Sequence, residues 1–386
     1  MLGRICKKLL LLAAVGLTFF LGFEVGGFQL ALLRAGTEFT LTNTSMGFLV
    51  AAENAAIMIV AMLFGRIADR FGKKIVLLLG ATVFATGCAA MAFTSSPVML
   101  AAFAFVIGGG YGMIESQCSA AVADVYPEKS SRYISIIQGS YSLGALVSPL
   151  LLDFFMTNCG ANWRLAFMMS AGGMLLFVIP LIMADFTPAM LRQNKVERDN
   201  QPIKTLMTAV FVTLLISMFV YVWIEQGASY FFDSLFASEH ISSGFGAIAI
   251  SLFWLATGVT RFTFGFLRLS ARNALIVCFI VITLSLLPLA LVTNAVVALI
   301  SCVVVGLACG PIWPLLLSEA TRYSPERSGQ AGGFMVGASG GGATIAPIFT
   351  GFLAAQAGFR VSYLVLAALG AGCAVLCAIV FWKTKA

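Results

Sequence analysis

Long apolar runs recur along the whole chain, cut by short polar connectors. A run of roughly 20 apolar residues is what crosses a bilayer as a helix. Such runs lie near 9–33, 43–64, 74–94, 98–124, 131–155 and 163–184, and again near 205–235, 241–265, 272–293, 295–321, 328–354 and 358–382. The polar stretch Asp185 to Lys204, with Arg192, Lys195, Glu197, Arg198 and Asp199, separates the two sets of six. The turn-like Thr293-Asn294 divides the ninth run from the tenth. The pattern predicts an all-α membrane protein of about twelve transmembrane helices. Its parts are a six-helix bundle over residues 1–184, a cytoplasmic linker over 185–204 and a second six-helix bundle over 205–386. The first run follows Arg4, Lys7 and Lys8 but is long enough to span and has no small-residue cleavage pattern, so it reads as a permanent helix rather than a signal peptide.

Charge placement tests that count. With the N-terminus in the cytoplasm, all of the 23 Lys and Arg residues except Arg34, Arg164 and Arg360 fall in inner segments. Basic residues collect on the cytoplasmic side of membrane proteins. A missed or extra helix would scramble the alternation, so the asymmetry supports an even number of crossings with both termini inside.

Composition agrees. Of 386 residues, 60% are hydrophobic and 10% charged, too few charges to cover a water-facing surface, which needs roughly 25%. The net charge of +7 follows the connectors rather than one basic face, which argues against a nucleic-acid partner. The nine cysteines form no CxxC pair, so no zinc or redox site is indicated. His240, the single histidine, reads as a solvated outer-loop residue. No metal or cofactor is expected. A membrane enzyme would need a convergent nucleophile and base or a ligand set, and a sensor would add a soluble module; neither is visible. No nucleotide-binding loop stands in the chain, which argues against ATP drive.

The halves repeat. Pro127-Glu128-Lys129-Ser130 returns as Pro325-Glu326-Arg327-Ser328, and the same offset of 198 maps Gly139 to Gly337, Gly144 to Gly342 and Pro149 to Pro347. Duplicated bundles of this kind place a solute site near the bilayer midplane, between the halves. Pro311 and Pro314 flank Trp313 and should bend or break the tenth span, and Gly337 to Gly342 make one face of the eleventh very small.

Between the second and third spans stands Gly65-Arg66-Ile67-Ala68-Asp69-Arg70-Phe71-Gly72-Lys73-Lys74. It resembles the loop signature Gly-x-x-x-Asp-Arg-x-Gly-Arg/Lys-Arg/Lys of the major facilitator superfamily, and that resemblance covers essentially the whole chain. It implies two six-helix bundles related by a pseudo-two-fold axis and transport by alternating access, with Gly65, Asp69, Arg70, Gly72 and Lys73 as gating residues. The second half keeps Gly265 and Arg268 but has Leu269 in the Asp place, so one copy is complete.

A narrower set of segments is similar to the fucose:proton symporter family and its sugar-transporting relatives. These are Phe39-Thr40-Leu41-Thr42-Asn43, Gly112-Met113-Ile114-Glu115-Ser116, Gln138 with Ser142-Leu143-Gly144-Ala145, Tyr221-Val222-Trp223-Ile224-Glu225 and Gly310-Pro311-Ile312-Trp313-Pro314. The resemblance implies that Glu115, in the fourth span, carries the proton. The family's first-span acid place holds Gln29, and Glu24 stands five residues earlier. Glu24 either takes over that role or pairs with the solute.

Four acids, Glu24, Glu53, Glu115 and Glu225, are counted within spans, with Arg261 as the one basic residue placed to be buried among them. Intramembrane acids are expensive and functional by default, although Glu53 and Glu225 can equally serve as hydrogen-bond partners of neighbouring helices. In the superfamily, spans one, four, seven and ten line the cavity. Gln29, Tyr111, Gln117, Gln138, Tyr141, Tyr221, Glu225, Gln226, Trp254 and Trp313 are therefore the solute-contacting candidates, although any one Tyr or Trp is as readily core packing. Aromatic faces with amide and carboxyl groups suit a polyhydroxylated or partly apolar solute. The reading is a monomeric, proton-coupled symporter of a sugar-like solute in a prokaryotic inner membrane. The alternative is proton-driven efflux of amphipathic or cationic compounds.

Overall fold

The computed structural model describes residues 2–126, 130–184, 208–241, 243–263, 270–291, 294–323 and 328–383. The linker 185–204 and the repeated Pro-Glu-Lys/Arg tripeptides lie outside them. Thirteen α-helices and no strand are found among the described residues. They are α1 (Leu2–Glu38), α2 (Asn43–Phe71), α3 (Lys73–Met91), α4 (Pro97–Val125), α5 (Ser130–Cys159), α6 (Leu165–Met183), α7 (Ala209–Ser229), α8 (Phe232–Ser238), α9 (Ser243–Thr263), α10 (Ala271–Leu291), α11 (Ala295–Tyr323), α12 (Ser328–Ala357) and α13 (Phe359–Lys383). Twelve of these are long and apolar enough to cross a membrane. The short α8 is the exception; the sequence pattern had merged it with the seventh span, which ends at Ser229. Large apolar side chains such as Leu63, Phe93, Leu176 and Leu284 are more than half exposed, as lipid-facing surface should be.

Local chemistry sets the helix ends. Ser96 caps α4 by accepting from the Met99 N–H, with Pro97 at the first position. Thr208 caps α7 in the same way through Phe211. The Asn294 side chain accepts from the Val296 and Val297 amides at 2.9 and 3.2 Å and opens α11. Gly160 and Gly358, 198 positions apart, both take positive φ (64° and 84°) ahead of α6 and α13, a conformation that suits glycine. Pro311 and Pro314 lie inside α11, which continues unbroken to Tyr323. The break expected there does not occur; proline is tolerated in membrane helices when neighbours re-satisfy the freed carbonyls.

The chain forms two compact units: Met1–Thr40 with Ala52–Glu197, and Leu41–Ala51 with Arg198–Ala386. In the first unit α1 packs on α5 and α6, and α3 on α4 and α6. In the second, α7 packs on α12 and α13, and α10 on α11 and α13. The plan is the same twice, down to the contacts of individual glycines. A Cβ on Gly144 would strike the Phe19 carbonyl and crowd the Phe23 amide; one on Gly342 would strike the Phe219 carbonyl and crowd the Trp223 amide. Gly108 and Gly112 abut the Glu53 and Ile57 carbonyls, as Gly306 and Gly310 abut those of Phe253 and Thr257. Small residues permit such backbone-to-backbone approach in lipid, where packing rather than hydrophobic exclusion holds helices together.

Candidate functional site

In the first unit, α1 is pinned along one face by α5. Gly22 and Gly26 leave room for the Tyr141 and Ala145 carbonyls and for no side chain of their own. That contact carries Glu24 and Gln29 into the interior, where they are 1% and 0% exposed. Glu53, on α2, is equally buried at 1%. Its backbone lies tight against α4 at Gly108. The Glu24 and Glu53 carboxyls face each other within hydrogen-bonding range, and none of their four oxygens meets a donor. Those two findings are compatible, because two carboxylates offer only acceptors; a bond joins them only once one carries a proton. The Cys88 thiol of α3 lies close enough to both to feel their charge.

The other first-unit candidates are spread along α4 and α5. Tyr111 is buried and meets Tyr141 edge-on, ring centroids 6.5 Å apart. Gln117 is buried and donates to Ser116 Oγ at 3.1 Å. Gln138 is half-buried. Residues 107–114 of α4 are buried without interruption, and Glu115 is the first to emerge at an exposed position. Glu115, counted among the span acids, is not buried: α4 spends its glycine-rich stretch against α2 and α3 and turns Glu115 out of that contact.

In the second unit, Tyr221 and Glu225 stand one turn apart on α7, both buried. The Tyr221 hydroxyl donates to Glu225 Oε1 at 2.7 Å, and Arg261 Nη2 of α9 approaches the same oxygen at 3.4 Å. Gln226 and Trp313 are half-buried. Trp254 is 2% exposed, edge-on to Phe253 at 5.4 Å. Two further acids are buried: Glu319 on α11, inside the span Ala295–Ala320, and Asp233 on α8, outside the spans. Glu319 pairs with Arg272 at 3.5 Å, and Arg272 also lies 5.5 Å over the Phe381 ring. Both acids fall near the ends of apolar runs, where the sequence gives no depth. The two units thus treat their acids differently. Phe253 occupies the packing position of Glu53, and the second unit's Glu225 has a basic neighbour where the first unit's pair has no hydrogen-bond partner among the described residues.

The segment Gly65 to Lys74 is mostly helix. α2 runs to Phe71, Gly72 turns at φ 94° and donates its N–H to the Ala68 carbonyl at 2.9 Å, and α3 begins at Lys73. The side chains of Asp69 and Arg70, and the surroundings of Gly65, lie outside what the structure describes. Ala68, Val76 and Met113 form a small apolar cluster that ties this end of α2 to α3 and α4. Lys74 donates to the Ile182 and Ala184 carbonyls at 2.6 and 2.8 Å, capping α6 with the charge that its negative end favours. Among the described residues no group of three metal-ligating side chains converges.

The Major Facilitator Superfamily profile matches residues 13–239 and 214–386, across both repeated units. The chain belongs to the major facilitator superfamily. It is similar to the niacin transporter NiaP of Acinetobacter baylyi, 25% identical over 171 residues, which are 43% of this chain and 38% of that protein. It is similar also to multidrug resistance protein 1 of Bacillus subtilis, 26% identical over 225 residues, 57% of this chain and 55% of that one. The chain thus spans well under two thirds of the length of these curated relatives. In fold it resembles the crystal structure of the nucleoside transporter NupG, with a TM-score of 0.78 at 15% identity, covering 99% of this chain and 100% of the other. As a superfamily member with twelve apolar spans, it is an integral membrane protein.

Proposed function

We propose that this chain is a secondary carrier that moves a small organic solute by alternating access, in symport with protons, across a prokaryotic inner membrane. In this reading it acts as a monomer, without cofactor, enzymatic activity or nucleic-acid partner. Both termini are cytoplasmic, and the bundles 1–184 and 205–386 are joined by the linker 185–204. Asp69, Arg70 and the glycines around them form the gate.

The observation that carries the proton reading is Glu24, a carboxyl 1% exposed inside a membrane helix. No Lys, Arg or His stands on α1 between Lys8 and Arg34. Such a group is expensive to keep unless a cation visits it. Glu115, exposed on α4, is the second proton-exchanging group. Tyr111, Tyr141, Gln29, Gln117, Gln138, Tyr221, Glu225, Gln226, Trp254 and Trp313 supply rings and amides for a solute that is polar at its edge and flat or apolar at its face. Fucose-like sugars fit that chemistry; so do the nicotinic and nucleoside ligands in the names of similar proteins.

A second reading, efflux of amphipathic cations, draws on the same rings and acids and on the similarity to a multidrug resistance protein. Proteoliposomes under an imposed pH gradient, offered fucose, nicotinate, uridine and a cationic dye, separate the two. Symport predicts that one of the first three accumulates on the alkaline side. Expulsion of the dye in exchange for protons supports efflux. Transport indifferent to the gradient for all four rules out the proton-coupled reading.

A further inference from the structure

We propose that Glu24 and Glu53 form a single proton-binding site, a carboxyl pair that holds one shared proton between α1 and α2 and exchanges it in the transport cycle. The proposal deepens the proton-coupled reading above and rests on it. It gives Glu53 a role of its own.

Three observations carry it. Both carboxyls are 1% exposed, and all four of their oxygens lack a donor. They face each other at hydrogen-bonding range. No basic residue stands at mid-span in the helices of the first unit. Lys, Arg and His are absent from α1 between Lys8 and Arg34, from α2 before Arg66, from α3 after Lys74, from all of α4, from α5 after Arg132 and from all of α6. The uncharged and acidic titratable groups on the packed elements are Cys88 on α3, Tyr111, Glu115, Cys118 and Asp124 on α4, and Tyr133, Tyr141, Asp153 and Cys159 on α5. Of these Cys88 lies near enough to both carboxyls to feel their charge, and none can carry a positive charge.

Two bare carboxylates in such a place repel at close range and have lost their hydration. One proton removes both penalties. It makes one carboxyl a donor, joins the pair by a charge-assisted O–H···O bond and leaves one negative charge spread over the two groups. A hard metal cation fits less well, since it takes six or more oxygen ligands and no third ligating side chain converges here among the described residues. The site has a mechanical output. With the proton present α2 is bonded to α1 at mid-span, and without it the two helices carry opposed like charges.

The test uses the full chain reconstituted in liposomes, titrated with an apolar carbodiimide that attacks protonated carboxyls in apolar surroundings. Adducts are located by mass spectrometry, and Glu24→Gln and Glu53→Gln are compared with wild type. The proposal expects at most one adduct per molecule within the pair. It also expects the pH profile of Glu24 labelling to move by about one pH unit or more in Glu53→Gln, the signature of coupled sites. A Glu24 profile that superimposes in wild type and Glu53→Gln overturns it, as does double labelling of one molecule. Glu53→Asp, which keeps a carboxyl, should retain the coupling if Glu53→Gln proves poorly folded. Labelling needs no solute, so the two readings fail separately. Coupled profiles with no gradient-driven solute sink the carrier reading and leave the pair; gradient-driven transport with independent profiles does the reverse.

Discussion

Arg164, at the start of α6, grips both carboxylate oxygens of Glu38 at the end of α1, Nη1 to Oε2 at 2.8 Å and Nη2 to Oε1 at 2.6 Å. The Trp163 indole donates to the same Glu38 Oε2 at 2.7 Å, and Arg164 also donates to the Thr94 carbonyl at 2.9 Å and lies 4.4 Å over the Trp163 ring. The second unit repeats the clamp: Arg360 at the start of α13 donates to Glu239 at 2.8 and 2.7 Å. These are two of the three basic residues that the charge pattern leaves on the outer side. Each ties the first membrane helix of its bundle, or the segment just beyond it, to the last.

Arg164→Lys should therefore destabilise the protein by about 1 kcal/mol, because Lys cannot reproduce the fork that meets both oxygens and the ring. The matching Arg360→Lys change should cost less, since Arg360 is more exposed than Arg164, 46% against 16%, and has no ring beneath it among the described contacts. Thermal unfolding of the purified variants in one detergent measures both. Equal losses would mean that the Trp163 and Thr94 contacts add nothing.

Glu239 predicts a pH dependence. The Arg360 hydrogen bond holds its carboxyl below the usual range in the folded state. A carboxyl with a depressed folded value contributes stability above its unfolded pKa, near 4.3 for Glu, and loses it as pH falls through the lower folded value. The clamp should thus be intact at neutral pH and weaken in acid below roughly pH 4. Glu239→Gln should lower the melting temperature slightly at pH 7 and leave it unchanged at the acid end. Added salt should shrink the difference, since the pair is solvent-exposed. A variant that lost the same amount at both pH values would assign the effect to packing.

Glycine packing gives a paired prediction. Gly144→Ala and Gly342→Ala each drive a methyl into the backbone of α1 or α7. Backbone cannot move aside as a flexible side chain can, so both should cost several kcal/mol, of order 3, and expression should fall. Gly172→Ala, with no neighbouring atom within 4 Å, should be neutral or gain up to about 1 kcal/mol from helix propensity. Fluorescence-detected size exclusion on the three variants checks the order.

The span count, the repeat and the superfamily were legible in the sequence because each is written in many residues at once. Apolar run length, the sidedness of Lys and Arg, and the shared offset of Gly144 with Gly342 and Pro149 with Pro347 all recur. The candidate site was less legible, because pairing between helices leaves no periodic trace. Glu24 and Glu53 are 29 positions apart, and nothing in either segment says that they meet. Glu115 sits in an apolar run like the others, and its exposure depends on which face of α4 the glycines commit to α2 and α3. Asp233 and Glu319 escaped because run ends are blurred by several residues. The signal that could have found the pair is compositional: the first six spans hold two buried acids and no basic residue away from their ends.

The Tyr221–Glu225–Arg261 cluster tests how the second unit neutralises its acid. Tyr221 offers the shorter contact, 2.7 Å, and Arg261 the charge, at 3.4 Å. Tyr221→Phe removes one hydrogen bond and should cost about 1 kcal/mol. Glu225→Gln keeps the shape but takes the counter-charge from an arginine that is 18% exposed, which should cost about 3 kcal/mol. The double change Glu225→Gln with Arg261→Gln then removes both charges together and should recover part of that loss, giving a coupling energy of 1 kcal/mol or more, roughly. Chemical unfolding of the four proteins in mixed micelles measures the cycle. Additive losses would show that the 3.4 Å approach carries no net interaction and that Tyr221 alone satisfies the carboxyl, and the two units would then differ in hydrogen bonding rather than in charge.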